Sequence, residues 1–271
     1  MFKKIRIMSL IVVTVLVFSS MSVSSQGINY IDQRLINMGF PETLVNDMSE
    51  PQKEFMYECM YEDGFVFCDY TEKNYTITND GEVVQSSQNG DVSLCGGTLS
   101  ENEISVSVVG AKQQDSQGNV TYMVLPCFKW KTLVKVNNDS FAMAMYPGWE
   151  AVPGKRNLRL HLLNNNDVHT QYVDLSPTQA TSSGYVYKIP SNIGAMQGKY
   201  EGYANYYVDR KSDTASPNIS LYYAHDAKPI LAASYSLNIN GFAISLTGNT
   251  NHIYSISDNY YVKHLLGYEG N

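Results

Sequence analysis

His161 and His169 flank the run "LLNNNDV", whose midpoint is Asn165. If the Asn run is a hairpin turn, the two imidazoles face each other across a β ladder, where opposed Cβ atoms lie about 5 Å apart. With Asp167 as a neighbouring carboxylate, this is the beginning of a two-histidine metal site. The pattern fixes no third protein ligand, and an exposed cross-strand pair is the simpler account. Cys95 stands in "LCGG", where a Gly-rich turn could present a thiolate nucleophile to a His base. A half-cystine or a structural turn explains the same residues more simply. His225, His252 and His264 are scattered and take no role.

The other recognisable catalytic patterns are missing. The chain has no GxSxG, SxxK, HExxH or P-loop run. Carboxylate pairs for glycoside hydrolysis are set by the fold rather than by spacing along the chain. No catalytic residue, cofactor or cofactor-binding position is assigned. The four cysteines, Cys59, Cys68, Cys95 and Cys127, contain no CxxC spacing. Export would permit disulfides, and four cysteines allow three pairings. The favoured pairing is Cys59–Cys68, from the last helix to the first strand, with Cys95–Cys127 across the sheets. Four buried thiols are the alternative.

Tyrosine is the most conspicuous side chain, at 21 residues against 9 Phe and 2 Trp. It clusters in "YANYYV", "LYYAHD" and "NYYVKH". In a strand Tyr203 and Tyr207 share one face and Tyr206 takes the other. A single sandwich leaves one face of each sheet wet, which makes Tyr203, Tyr206, Tyr207, Tyr222 and Tyr223 candidates for an exposed binding face.

The elements that would position these residues change character near Gly64. Before it, Ile28, Ile31, Leu35 and Met38 recur at helical spacing, and Gly39 offers a left-handed stop. In "MGFPETLVNDMSEPQKEFMYE", Pro41 suits a helix start, Ser49 and Gln52 form a capping-box pattern, and Phe55, Met56, Cys59 and Met60 supply an apolar face. Three such short helices bury too little to stand alone. Their apolar face, Leu35, Leu44, Val45, Phe55 and Met56, is expected to pack on the following domain or on a partner.

After Gly64 the period is two. "EISVSVVGAK" alternates Ile104, Val106 and Val108 with Ser105 and Ser107. "VTYMVLPCFKWKTLVKV" is a long return strand, in which Pro126 implies a sheet edge or a bulge. Asn240-Gly241 between alternating runs is a strong hairpin signal. Many short strands without crossover helices indicate a mainly β fold. The expected form is an antiparallel β-sandwich, Ig-like or jelly-roll-like, with a short N-terminal helical segment.

The N-terminus carries Lys3, Lys4 and Arg6, then an apolar run of 12 residues from Ile7 to Phe18, then Ser22 and Ser24 at signal-peptidase spacing. A membrane-spanning helix needs about 20 residues, so a signal peptide fits better than a stable transmembrane anchor. The expected organisation is a signal peptide over 1–24, a helical segment over 25–62 and a β-sandwich domain over 63–271. The whole chain has 19 Lys and Arg against 26 Asp and Glu, net −7. Loss of the three basic signal residues leaves 16 against 26, net −10. That balance excludes nucleic acid, which needs a basic face, and simple attraction to anionic membranes.

The order of segments, with "GFPETLVNDM", "EISVSVVGAKQQDSQGNVTYMVLPCFKWK" and "SPNISLYYAHD…SYSLNINGFAISLTG", resembles a loose group of uncharacterised secreted proteins of Gram-positive bacteria. The resemblance implies a bacterial source and export, and no activity. The sequence therefore points to a secreted binding or interaction protein, with a cell wall, a glycan surface or another protein as its partner. Two rival readings are an extracellular hydrolase with a loop-borne site and a β-hairpin pore former, since "SYSLNINGFAISLTGN" alternates as a membrane hairpin must.

Overall fold

This computed structural model describes residues 23–77, 83–86, 102–134, 139–152, 157–163, 169–190, 199–213, 215–216, 218–226, 233–239, 242–248 and 253–261. The chain divides into two compact units at Asp63/Gly64.

The first unit holds α1 (Val23–Asn37), α2 (Glu42–Asp47) and α3 (Glu50–Tyr61). Gly39, at φ 97°, stops α1, and the Phe40 amide reaches back to the Leu35 carbonyl. That left-handed conformation suits a residue without a Cβ. Ser49 caps α3, its Oγ accepting from the Gln52 amide at 3.3 Å, with Pro51 in the first turn. Leu35, Val45, Phe55, Met56 and Met60 are buried, and α1 packs on both α2 and α3. Lys53 is buried too and meets Asp32 of α1 and Glu50 of its own helix, each at 2.9 Å. Burial opposes its charge, but those two carboxylates prevail and raise the ammonium above its ordinary value.

The second unit is antiparallel β throughout its described residues. Its strands are β1 (Val66–Ile77), β2 (Val83–Ser86), β3 (Asn102–Gln114), β4 (Val120–Trp130), β5 (Asp139–Met145), β6 (Trp149–Ala151), β7 (Leu158–Leu163) and β8 (His169–Leu175). The chain continues through β9 (Gln179–Ala180), β10 (Gly184–Ile189), β11 (Lys199–Ala204), β12 (Tyr206–Arg210), β13 (Asn218–Asp226), β14 (Ala233–Ile239), β15 (Phe242–Gly248) and β16 (Ile253–Tyr261).

The larger sheet runs β2-β1-β3-β4-β11-β7-β8, with β12 joining β4 to β6, and the smaller runs β16-β13-β5-β10-β9. The two close on one core, as expected of a sandwich. The larger sheet supplies Tyr75, Val106, Phe128, Trp130, Leu160 and Tyr206, and the smaller supplies Phe141, Met143, Tyr185, Tyr187, Leu221 and Tyr223. Rings interlock across the layer: Phe128 lies 5.0 Å from Phe141, and Tyr185 stacks on Tyr206 at 4.6 Å. The hairpin β14–β15 forms a separate two-stranded sheet, with Ile239 paired to Phe242, so that Asn240 and Gly241 alone connect the strands.

Pro126 is expected at an edge or a bulge, yet β4 is a central strand. Its missing amide is accommodated by a break in the neighbouring strand. Val124 pairs with Tyr206 of β12 and Cys127 with Tyr203 of β11, so Leu125 and Pro126 lie opposite the interruption at Asn205. A bulge does occur in β1, where Cys68 is the extra residue between Phe67 and Asp69.

Candidate binding surface

Two rows of polar and aromatic side chains cross the larger sheet on the face opposite the shared core. Asn74, Ser105, Lys129, Glu201, His161 and Tyr172 are successive partners across six strands. Glu72, Ser107, Cys127, Tyr203, Arg159 and Asp174 form the adjoining row. Glu201 is completely buried and accepts a hydrogen bond from the Tyr203 hydroxyl, with the half-exposed Lys129 ammonium 3.9 Å away. The His161 ring lies between Tyr203, at 5.4 Å, and Tyr172, at 5.7 Å. At the outer end of the rows Tyr172 is 57% exposed, and the Arg159 guanidinium sits 5.2 Å over its ring while donating to Asp174 at 3.0 Å.

A second polar cluster lies inside the core. Asp139, at the start of β5, accepts from the Tyr223 hydroxyl at 2.6 Å and contacts His225 Nδ1 at 3.0 Å. Trp130 of the other sheet donates its indole N–H to the same Tyr223 oxygen at 3.0 Å. Burial, and then the Asp139 charge, push the Tyr223 phenol well above its ordinary value. This chain of donors ties one sheet to the other and satisfies polar groups that would otherwise be orphaned in the core. "LYYAHD" contained His225 and Tyr223, but Asp139 is 84 residues from Tyr223 in sequence, so only the fold reveals the cluster.

The tyrosines expected on an exposed face are buried: Tyr203, Tyr206, Tyr207, Tyr222 and Tyr223. The premise that one face of each sheet is wet fails here. Tyr206 and Tyr223 belong to the shared core. Tyr207, on the opposite face of its sheet, is covered edge-on by Phe65 at 5.3 Å, and Tyr203 by His161. Tyr222 pairs with Ala142 on the second face of the smaller sheet, where Ala142 and Ala144 are buried as well.

The expected opposition of His161 and His169 is displaced by the strand register. His161 pairs with Tyr172 and His169 with Leu163, because the partner of His161 falls three residues beyond His169 in this ladder. Among the described residues no group of three His, Cys, Asp or Glu is placed to hold a metal ion. No disulfide joins the described cysteines Cys59, Cys68 and Cys127, while Cys95 lies outside the described residues. Bulged out of the ladder, Cys68 directs its Sγ to the Val66 carbonyl at 3.8 Å, and burial pushes its thiol up to about 11. Cys127 makes a similar contact with the Leu125 carbonyl at 3.7 Å.

Among the described residues, a partly exposed aromatic group lies on the helical unit. Tyr30 and Arg34 are one turn apart on α1, and Tyr57 and Tyr61 are one turn apart on α3. Tyr57 stacks on Tyr61 at 4.7 Å and meets Tyr30 edge-on at 6.4 Å. The Arg34 guanidinium lies 4.9 Å over the Tyr30 ring and 5.3 Å over the Tyr61 ring. Tyr30 is 48% exposed and Tyr61 43%. Hydrogen bonding with Tyr57, and then with Arg34, lowers the Tyr30 phenol. Sequence periodicity picked out the apolar side of these helices and passed over this one. The signal was two i,i+4 pairs of Tyr and Arg on helices bound to pack side by side.

No helix among the described residues is long and apolar enough to cross a membrane. No family model and no curated protein matches the chain. Among solved structures, the chain is similar to the pilus backbone RrgB of Streptococcus pneumoniae, at 10% identity and a TM-score of 0.31 over 52% of this chain. It spans only 41% of that protein's own length. It is also similar to the collagen binding domain of the Erysipelothrix rhusiopathiae surface protein RspB, at 9% identity and a TM-score of 0.28, covering 59% of this chain and 62% of that one. A third is a pore forming protein, at 6% identity and a TM-score of 0.29, covering 69% and 91%. Likeness of this degree assigns neither family nor activity.

Proposed function

We propose that this chain is a secreted extracellular binding protein, that residues 1–24 are its signal peptide, and that the Tyr30–Arg34–Tyr57–Tyr61 cluster is its contact surface for another protein. The cluster itself carries the reading. Exposed tyrosines with a stacked arginine are an unusual way to finish a helical surface, and these are the side chains that dominate protein interfaces. Tyr offers rigid area at small entropic cost, and the guanidinium holds two of the rings in place before a partner arrives. Net charge supports a partner other than nucleic acid. Tyr172, braced by Arg159 and His161, is a smaller platform on the other unit.

The experiment is capture of surface material by the purified protein, from cells and from isolated cell wall. The Tyr30→Ala/Tyr61→Ala variant should lose at least about tenfold in capture, the usual scale for two interface anchors, with melting unchanged. Val84→Ala, at an exposed position of the β unit, is the control and should capture normally. Capture that survives protease treatment of the surface but disappears with its glycans would assign the partner to sugar. A double variant that captures like the parent would overturn the contact surface.

A further inference from the structure

The hairpin β14–β15 differs from the rest of the β unit in three ways. First, Pro229 to Ser257 contain no Asp, Glu, Lys or Arg, a charge-free run of 29 residues in a chain that is 17% charged. Second, its two strands alternate in matched register. Tyr235, Leu237 and Ile239 pair with Leu246, Ile244 and Phe242, while Ser234, Ser236 and Asn238 pair with Thr247, Ser245 and Ala243. One set of register positions is wholly apolar and the other is small or polar. Third, the hairpin belongs to neither sheet of the sandwich. It is an excursion between β13 and β16, which pair directly over nine positions, from Asn218 with Tyr261 to Asp226 with Ile253.

A two-stranded ribbon is marginal by itself in water. Here β15 lies beside β5, whose Ala142 and Ala144 are buried on the face opposite the shared core. A strand that spans a bilayer needs about 9–11 residues, with an apolar outer row alternating with a polar inner row. Two such strands and the two-residue turn need about 20–24 residues, which the 24 residues of the run that lie outside the β13–β16 ladder, 229–252, accommodate. The pairing of β13 with β16 does not depend on the hairpin's own pairs, so the hairpin can leave without dismantling the ladder at its base.

We infer that β14–β15 is a membrane-inserting hairpin, which leaves its place beside β5 and enters a neutral lipid bilayer as two strands of a closed barrel built from several copies of this chain. In lipid every backbone polar group must be paired, which only closure provides. A barrel of about eight strands is filled by its own side chains and a water-filled lumen needs about 16 strands, hence about eight copies. The row from Tyr235 to Phe242 faces the acyl chains and the Ser and Thr row lines the lumen. The acidic mature chain favours uncharged headgroups over anionic ones. The inference goes beyond the surface-binding reading and stands without it.

Dye release from phosphatidylcholine–cholesterol vesicles tests it with the purified protein. Release accompanied by detergent-resistant oligomers is expected. Leu237→Lys/Ile244→Lys should slow release by about tenfold or more, because a lysine on the lipid row is strongly disfavoured. Ser236→Lys/Ser245→Lys should leave release within about twofold, since lumen positions tolerate charge. Folding of the variants does not limit the test. In a background with the four native cysteines changed to Ala, single cysteines at 236, 237, 244 and 245 carry an environment-sensitive dye. On vesicles the dye at 237 and 244 should shift to the blue and be quenched from the acyl chains, and the dye at 236 and 245 should not. No release from the parent protein, release indifferent to the Leu237/Ile244 pair, or dye responses that do not alternate would each overturn the inference.

Discussion

Tyr75 and Tyr260 meet hydroxyl to hydroxyl at 3.1 Å across the core, 185 positions apart in sequence. Tyr75 lies on the first strand of the larger sheet and Tyr260 on the last strand of the smaller, and both are buried. Replacing either by Phe leaves one hydroxyl facing an apolar ring and should cost about 1 kcal/mol. The double Phe variant leaves neither hydroxyl orphaned and should cost less than the two single changes together. Denaturant unfolding of the three variants measures this; strict additivity would mean that the two hydroxyls are uncoupled.

Gly202 sits opposite Phe128 in the ladder, and a Cβ placed there would come within 2.1 Å of the Phe128 ring. The ring lies flat over the glycine and fills the space a side chain would take. Gly202→Ala should therefore lower stability by about 1–3 kcal/mol. Combining it with Phe128→Leu should recover part of that loss, and melting temperatures of the pair decide the point.

Asp139→Ala removes the acceptor on which Tyr223 and His225 converge. Two buried polar groups are stranded at once, and the expected loss is about 3 kcal/mol. Tyr223→Phe takes one donor from Asp139 and leaves the buried Trp130 indole N–H without that acceptor, and should cost about 2 kcal/mol. Equal effects from the two changes would show that the carboxylate is not the centre of the cluster.

Alkaline pH acts through the buried phenols. Burial holds Tyr223 well above its ordinary value, and burial with the Glu72 charge does the same for Tyr70. A raised folded-state value means that the stabilisation is complete below the unfolded value of about 10. Above that pH the unfolded chain sheds protons that the folded chain keeps, so stability falls as pH rises. Denaturant midpoints at pH 8 and 11 should show the decline, and Tyr223→Phe should flatten it.

The Cys68 thiol, raised to about 11, is almost wholly protonated at pH 8. Since the thiolate is the reactive form, its labelling should be slow in the folded protein and should accelerate steeply between pH 9 and 11. Fast labelling at pH 8, followed by mass spectrometry of the Cys68 peptide, would contradict the buried setting.

Period-two alternation, the helical opening and the pairing of β14 with β15 are legible because each is local: a pleat, a cap or a hairpin is decided within a few residues. Burial of the tyrosines is not. Whether Tyr203 and Tyr207 are wet depends on Phe65 and His161, which come from other elements. The register of β7 against β8 was misread for a similar reason. His161 takes Tyr172, three residues past His169, as its partner, and no residue type announces that register. Pro126 kept its local meaning, a missing donor, but the fold answered it with a gap in the next strand rather than with an edge.

The join between Tyr75 and Tyr260 also bears on the order of synthesis. Strand β13, in the middle of the smaller sheet, takes β5 on one side and β16 on the other. Neither the β13–β16 ladder nor the Tyr75–Tyr260 contact can form until β16 has emerged. Contacts so distant in sequence make closure slow, because the chain entropy is lost before the contacts compensate for it. A growing chain with this topology keeps the smaller sheet open until β16 arrives to pair with β13.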